Sequence, residues 1–318
     1  MKNETALVPT DAPAGRRFQI LLRVLLVLIV GLMALGAGVR AMNAGLSCPD
    51  WPLCFGKVIP DFHPAVWFEF VHRAYAGLVS ILFFACFIYV TYSYRMPPLA
   101  KRSAVAALVF LFMQILAGGL TVLWLVKWFA VTAHLLLATL FFCSVFWIYY
   151  ALYPSIELPR GVTPRWFKTV ALLMPILVFM QIAMGGAVAS TYAGSVCVDW
   201  PMCNGQWVPT WSGPIGHQII HRFIAYFLAV SILTIAVVLH RRKSEPWITS
   251  QLLRLSRMNV AVVFFQVGIG IANLLLFIPP WVTVPHQSVA VILLAVNLRI
   301  FFVIFILPKP QKSLGVSG

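Results

Sequence analysis

Long apolar runs dominate the chain, and short connections between them carry most of its charged residues. A helix needs roughly 20 apolar residues to span a bilayer. Eight runs reach that length, at about 18–42, 67–94, 103–126, 128–152, 165–190, 215–240, 255–278 and 283–307. The pattern therefore predicts an all-α polytopic membrane protein with eight transmembrane helices.

Basic residues collect in alternate connections, and this asymmetry predicts the orientation of the chain. One side carries Arg16, Arg17, Arg23, Arg95, Lys101, Arg102, Arg160, Arg165, Lys168, Arg241, Arg242, Lys243, Arg254, Arg257, Lys309 and Lys312. The opposite loops hold only Lys57 and Lys127, with Arg40, Arg73 and Arg222 near helix ends. Because basic loops stay inside, we expect both termini in the cytoplasm and the other loops outside the cell membrane.

Composition supports the membrane assignment and argues against a nucleic-acid partner. Hydrophobic residues make up 61% of the 318 residues and charged residues 10%. The net charge of +15 comes from basic residues placed between apolar runs, not from an interleaved basic patch. This distribution is typical of membrane topology, with the lipid bilayer as the partner.

The second half of the chain repeats the first. CPDWPLC (Cys48 to Cys54) and CVDWPMC (Cys197 to Cys203) share five of seven residues at an offset of 149, which also superposes His72-Arg73 on His221-Arg222. An offset of 152 superposes Gln114, Gly118 and His134 on Gln266, Gly270 and His286. The repeat predicts two tandem, pseudo-symmetric four-helix bundles in the same orientation.

This repeat sets the expected division of the chain. We expect a cytoplasmic N-terminal tail at 1–17, an N-terminal bundle at 18–152, a cytoplasmic linker at 153–164, a C-terminal bundle at 165–307 and a cytoplasmic tail at 308–318.

A Gln-x-x-x-Gly step recurs in three odd-numbered helices. It occurs at Gln114/Gly118, Gln181/Gly185 and Gln266/Gly270, and Leu32/Gly36 takes its place in the first helix. Small residues let membrane helices approach closely, and a glutamine can hydrogen-bond a neighbouring helix. We interpret the step as a packing device and not as a ligand signature.

Four histidines occupy equivalent positions near the outer, N-terminal ends of the even-numbered helices. They are His72, His134, His221 and His286. An ionisable side chain inside a membrane span is a candidate functional residue, and four at one depth are harder to attribute to structure than one. The repeat favours His221 over its neighbour His217 as the equivalent of His72.

Haem suits two histidines per bundle better than other metals do. A structural zinc ion needs four ligands, and the methionines show no cluster that would indicate copper, although copper stays open. Haem iron takes one imidazole on each side, and the porphyrin fills the apolar space between two helices. Arg73 and Arg222 follow two of the histidines and are candidates to pair with haem propionates, with snorkelling to lipid headgroups as the alternative.

One acidic residue distinguishes the two copies. Glu69 lies three residues before His72, on the same helical face, whereas Gln218 takes that position before His221. A carboxylate beside a metal-binding imidazole can act as acid, base or proton relay, and a dipole-stabilising acid near the helix start is the structural alternative. If Glu69 is catalytic, the N-terminal bundle is the reactive one.

The cysteines fall into two groups. Cys48 and Cys54, like Cys197 and Cys203, lie in outer loops at a spacing short enough for a disulfide. Cys86 and Cys143 lie within helices, where we expect them to be buried as small apolar residues.

Across all eight predicted helices the chain resembles the heme A synthase family, which converts heme O to heme A for cytochrome oxidase. The resemblance rests on Glu69-x-x-His72-Arg73, His134, His221-Arg222, His286 and the two cysteine loops. It implies an oxidoreductase that oxidises one porphyrin methyl group to a formyl group by successive hydroxylations, with oxygen derived from water.

The resemblance also implies roles for single residues. His72 and His134 would ligate the substrate heme O, His221 and His286 would ligate a haem b cofactor, and Glu69 would be catalytic. Each cysteine pair would form a disulfide that closes a cap over its own haem site, with Trp51 or Trp200 at the membrane interface or a porphyrin edge. A redox role for Cys48 and Cys54 is the open alternative. Heme O synthase and cytochrome oxidase assembly factors are expected partners, and the oligomeric state is open.

Three other functional classes fit parts of the pattern. A diheme b-type electron carrier would use both haems without needing Glu69. A haem transporter or chaperone would suit two nearly symmetric halves and leave the porphyrin unchanged. A quinone-linked disulfide oxidoreductase would use the outer cysteines, but its usual C-x-x-C spacing is missing and it does not explain the histidines.

Overall fold

The computed structural model of the protein describes residues 13–93, 96–153, 157, 161–207 and 209–305. The predicted tail 308–318, most of the predicted tail 1–17 and half of the predicted linker 153–164 lie outside this part of the chain. So do Arg95, Arg160, Lys309 and Lys312, which contributed to the predicted orientation.

Eight α-helices make up most of the described chain, as the apolar runs predict. They are α1 (Pro13–Ala41), α2 (Pro64–Tyr92), α3 (Pro98–Leu123), α4 (Trp128–Leu152), α5 (Arg165–Ser190), α6 (Gly213–Arg241), α7 (Ser250–Leu275) and α8 (Pro280–Phe305). All eight are long and apolar enough to span a membrane. The protein is therefore a multi-pass membrane protein of the all-α class.

Helices α4 and α5 have their predicted ends, and the ends of the other helices differ from the predicted ones by a few residues, for local reasons. Helices α2, α3, α6 and α8 begin earlier than their apolar runs, and each has a proline in its first two positions, where a missing N–H costs nothing. Helices α3 and α7 end three residues early because the chain turns through two residues of positive φ, Leu125-Val126 and Phe277-Ile278. Hydropathy does not register such a turn, since all four residues are apolar.

The helix contacts follow the sequence repeat. Within the first half α1 contacts α2 and α4, and α3 contacts both α2 and α4; the second half repeats this ring with α5 to α8. Between the halves α1 contacts α8, α4 contacts α5, and α4 meets α8. Since α1 corresponds to α5 and α4 to α8, the contact between the bundles is itself pseudo-symmetric.

Repeat-related residues contact each other where the two bundles meet near the C-terminal ends of α1 and α5. Arg40 Nη2 donates to the carbonyl of Ala189 at 2.8 Å, and the Tyr192 hydroxyl donates to Asn43 Oδ1 at 3.3 Å. Both pairs are separated by 149 positions, the offset of the repeat. The pseudo-symmetry axis therefore passes between these residues.

The loops before α2 and α6 are each closed by a disulfide, as the resemblance implies. Cys48 is bonded to Cys54 and Cys197 to Cys203, with Cα–Cα distances of 4.8 and 4.6 Å. Cys86 is buried and Cys143 is half-buried, both as free thiols inside helices. The two loops thus repeat in structure as well as in sequence.

Candidate functional site

In the N-terminal bundle each predicted haem ligand lies edge-on against a glycine of the preceding helix. A Cβ atom at Gly36 in α1 would come within 3.0 Å of His72 Cε1, and one at Gly118 in α3 within 3.0 Å of His134 Cε1. The Nδ1 atoms of both histidines are buried without a hydrogen-bond partner among the described residues. The bundle therefore presents two imidazoles with a nitrogen still to be satisfied.

The C-terminal bundle repeats this arrangement. A Cβ atom at Gly185 would lie 3.2 Å from His221 Cε1, and one at Gly270 would lie 2.9 Å from His286 Cε1. The two imidazole centroids are 6.5 Å apart, with ring planes inclined by 72°. The two histidines of this bundle therefore face one another across a narrow space.

These features fit a metal ion held between two imidazoles. Two metal–nitrogen bonds of about 2 Å each, together with the two half-rings, nearly fill the 6.5 Å between the His221 and His286 centroids. Haem iron needs only two axial ligands from the protein, and each bundle supplies two histidines. The orphaned nitrogens of His72, His134 and His221 are groups that such a metal would satisfy.

Glu69 is buried at the junction of α2 with the first disulfide loop. Its side chain is 5% exposed; Oε2 accepts a hydrogen bond from the Cys48 backbone N–H at 2.9 Å, and Oε1 accepts one from Arg73 Nη2 at 2.5 Å. Glu69 lies beyond the first turn of α2, so the dipole alternative has little support. The carboxylate is held one helical turn from His72, between a fixed cation and a loop amide.

Gln218 occupies the corresponding position in α6 but differs from Glu69 in its hydrogen bonding. It is buried, and its Oε1 atom has no hydrogen-bond partner in the described structure. The two bundles therefore differ in charge and in hydrogen bonding beside an otherwise equivalent histidine.

Both predicted propionate-pairing arginines bind the carbonyl groups of their own disulfide loops. Arg73 Nη1 donates to the carbonyls of Asp50 at 2.8 Å and Leu53 at 2.7 Å, and Nη2 contacts the Cys48 carbonyl at 3.2 Å. Arg222 Nη1 donates to the Met202 carbonyl at 2.7 Å. Each arginine thus fixes its loop to the helix that carries the neighbouring histidine.

An aspartate closes each disulfide loop from within. Asp50 accepts hydrogen bonds from the N–H groups of Phe55 at 2.6 Å and Gly56 at 2.7 Å, and Asp199 does the same for Asn204 and Gly205. The bond from Gly56 is the main cause that holds the pKa of Asp50 below its usual value of 3.8. The loops are therefore built to keep a charged carboxylate at neutral pH.

The two loop tryptophans point to different neighbours. Trp51 lies flat against α3, since a Cβ at Gly119 would be 3.0 Å from its ring. Trp200 instead donates from Nε1 to the Tyr226 hydroxyl on α6 at 2.9 Å. The first loop thus reaches α3 at the residue next to Gly118, whereas the second stays on its own helix.

The remaining histidines have local partners or are exposed. His217 Nδ1 lies 3.3 Å from the Thr191 hydroxyl, and its ring lies near Trp128. His240 Nδ1 lies 2.9 Å from the carbonyl of Ala236, four residues earlier in α6, whereas His63 is exposed.

Sequence reasoning missed what the recurring glutamines do. Gln114, Gln181 and Gln266 do not only pack: each places its amide nitrogen within 3.4 Å of a ring nitrogen of the histidine on the next helix. The repeat contains a signal for this contact. Each glutamine lies four residues before a glycine, and the helix that carries both is followed by the helix that carries a candidate histidine ligand. Residue spacing along one helix does not show which neighbouring helix its glutamine-bearing face contacts.

Comparison with known proteins identifies the relatives of the chain. A model of the family described as Cytochrome oxidase assembly protein matches residues 19–298. The chain is 31% identical to a heme A synthase from Shouchella clausii, over 68% of this chain and 72% of that one. It is 26% identical to a heme A synthase from Shewanella oneidensis (86% and 92% of the two chains) and 27% identical to one from Halalkalibacterium halodurans (81% and 87%). The chain therefore belongs to the cytochrome oxidase assembly protein family.

Proposed function

We propose that the protein is a heme A synthase, an oxidoreductase that converts the methyl group of heme O to the formyl group of heme A. One structural observation carries the proposal: in the C-terminal bundle His221 and His286 face each other at a centroid distance of 6.5 Å that suits bis-imidazole ligation. The repeat places two equivalent histidines against glycines in the N-terminal bundle, and only that bundle adds a carboxylate beside them. The relatives named heme A synthase support the same activity.

The two histidine pairs have different tasks in this proposal. His72 and His134 hold the substrate heme O, because Glu69 lies beside this pair. His221 and His286 hold haem b, since Gln218 offers no ionisable group there. When bound, haem b supplies a one-electron redox centre close to the substrate.

Glu69 handles protons in the N-terminal bundle. Conversion of a methyl group to a formyl group with oxygen from water releases protons together with electrons, which leave to an external acceptor. Glu69 is one turn from His72, and its two partners, Arg73 and the Cys48 N–H, hold the carboxylate in a fixed position, where it acts as the proton acceptor. Arg73 keeps the carboxylate in place and ties it to the loop that covers this end of the bundle.

Product analysis tests the activity. The protein is purified from cells that also make heme O, and its haems are extracted and identified by chromatography and mass. We expect heme A or its hydroxymethyl precursor with the wild type, and at least about 100-fold less with Glu69→Gln, because a general base contributes about that much or more. Asp61→Asn is the matched control, since Asp61 is an exposed outer-loop acid paired with Lys57.

The alternatives predict other results. A diheme electron carrier or a haem transporter would leave heme O unchanged in the wild type. Conversion that Glu69→Gln leaves intact would retain the synthase and remove Glu69 from its mechanism.

We further propose that the disulfide loops face the extracytoplasmic side of the cell membrane, where heme O synthase could hand over its product. The low number of basic residues in these loops and the presence of disulfides support this orientation. An impermeant maleimide should label Asp61→Cys in intact cells and Glu245→Cys only after lysis. The reverse labelling pattern would show that the disulfide loops face the cytoplasm.

A further inference from the structure

Three of the four candidate haem ligands are held by a glutamine from the preceding helix. Gln114 Nε2 lies 3.2 Å from His134 Nε2. Gln181 Nε2 lies 3.4 Å from His221 Nε2 and donates to the His221 carbonyl at 2.9 Å.

Gln266 completes the set in the C-terminal bundle. Its Nε2 lies 3.2 Å from His286 Nδ1 and donates to the His286 carbonyl at 2.9 Å. In this bundle, therefore, a glutamine contacts each histidine both at the imidazole ring and at the backbone carbonyl. We call such a contact a glutamine tether.

His72 has no such tether. The position that corresponds to Gln181 in α1 is Leu32, which has no hydrogen-bonding group in its side chain. Neither ring nitrogen of His72 has a hydrogen bond to a described residue, whereas His134 and His221 lack one only at Nδ1. The missing tether belongs to the histidine beside Glu69, in the bundle assigned to the substrate.

The chemistry of metal-bound imidazole gives the tethers a purpose. When one ring nitrogen binds iron, the other carries a proton and needs an acceptor that fixes the orientation of the ring. In the described structure the amide nitrogen of Gln114, Gln181 and Gln266 faces the ring, and the Oε1 atom of each is buried and unpartnered. A half-turn of the amide about its last side-chain bond therefore offers the histidine such an acceptor. An amide can also donate, which lets it bind the ring before iron arrives.

We propose that Gln114, Gln181 and Gln266 are positioning residues for haem ligands, and that Leu32 leaves His72 as the one loosely held ligand. The C-terminal bundle then retains its haem through two fixed histidines. The N-terminal bundle binds through one fixed and one movable histidine, so it exchanges substrate for product. This inference rests on the proposed function, which assigns the substrate and haem b to these two pairs.

A swap of the two equivalent residues tests the proposal. Leu32→Gln adds the missing tether, and Gln181→Leu removes its counterpart. Purified protein carrying its own haems is mixed with excess apomyoglobin, and the haem that remains bound is extracted over time. Haem b reports on the C-terminal site, and heme O with heme A reports on the N-terminal site.

We expect the wild type to lose heme O and heme A faster than haem b. Leu32→Gln should slow the loss from the N-terminal site, and Gln181→Leu should speed the loss of haem b, each by about 10- to 100-fold. Gln181→Leu should also alter the low-spin EPR signal of haem b, which a purely structural change elsewhere would leave in place. Thermal unfolding of the haem-free variants checks that both are folded.

The outcomes separate this inference from the proposed function. Normal conversion of heme O with loss rates that neither substitution changes overturns the tether and retains the synthase. Altered loss rates without conversion support the tether and overturn the synthase. Equal loss from both sites in the wild type, unchanged by Leu32→Gln, also overturns the inference.

Discussion

A histidine that lies against a glycine leaves no room for a larger neighbour, and this holds for all four candidate ligands. The chain offers a matched pair of glycines in α7. A Cβ at Gly270 would come within 2.9 Å of His286 Cε1, whereas a Cβ at Gly268 would have nothing within 4 Å. The two positions lie two residues apart in the same helix and therefore on opposite faces: Gly270 faces His286, and Gly268 is exposed.

We predict that Gly270→Ala lowers haem occupancy of the C-terminal site because the methyl group displaces the His286 ring. Gly268→Ala should leave occupancy unchanged and stabilise the helix by up to about 1 kcal/mol. The ratio of haem b to protein, from a pyridine hemochrome assay, measures both. Equal occupancy in the two variants would show that the close approach at Gly270 is not needed for binding.

The stability of the first disulfide loop should depend on pH through the Asp50 carboxyl group. Backbone N–H bonds, led by that of Gly56, hold the pKa of this carboxyl below 3.8 in the folded protein, so the charged form stabilises the loop. That contribution is present above the unfolded pKa and is lost as the pH falls through the folded one. We expect the Phe55 and Gly56 amides to be protected from hydrogen exchange at about pH 6 and to lose protection at about pH 2.

Asp50→Asn serves as the control for this effect, because an amide does not titrate in this range. Its protection should be lower than that of the wild type at about pH 6 and should not change with pH. Wild-type protection that persists at low pH would mean that the disulfide and Arg73 hold the loop without the carboxylate.

At the scale of the helices, a buried pair of asparagines joins α7 to α8 in the C-terminal bundle only. Asn259 Nδ2 donates to Asn297 Oδ1 at 3.1 Å, and Asn297 Nδ2 donates back to Asn259 Oδ1 at 3.0 Å. The repeat places Ala107 and Val145 at these positions in the N-terminal bundle. The chain itself therefore shows an apolar solution to the same helix contact.

We predict that Asn297→Val alone destabilises the protein by about 1–2 kcal/mol, because it leaves the Asn259 amide buried without its partner. The double variant Asn259→Ala/Asn297→Val should lose less stability than Asn297→Val alone, since neither asparagine amide is then left buried without a partner. Unfolding in mixed detergent measures the difference. A double variant less stable than either single variant would contradict this account.

The number and order of the helices could be predicted from the sequence, and so could the ends of α4 and α5, but the apolar runs did not give the exact ends of the other helices. A span needs only a long apolar run, which hydropathy registers directly. An end depends on backbone geometry, such as the left-handed turn at Leu125-Val126 after α3, where apolar residues continue past the helix. The prolines at the helix starts, by contrast, do indicate where these helices begin, but a count of apolar residues does not use them.

At the scale of the whole molecule, the repeat predicted more than either half alone. It indicated the equivalent histidines and the unmatched Glu69, because both follow from superposing the two copies. It did not predict the partners of Glu69 or the glutamine tethers, which depend on how neighbouring helices rotate toward one another. Duplication supplies two equivalent sites, and a few substitutions such as Leu32 and Gln218 make them different.

The central claim is that the two bundles hold different haems for different purposes. The most direct measurement is the haem content of two double variants, His72→Ala/His134→Ala and His221→Ala/His286→Ala, purified from cells that make heme O. We expect the first to retain haem b and lose heme O and heme A, and the second to lose haem b. Thermal unfolding of the haem-free forms verifies folding. Loss of the same haem from both variants, or retention of heme O by the first, would contradict the account.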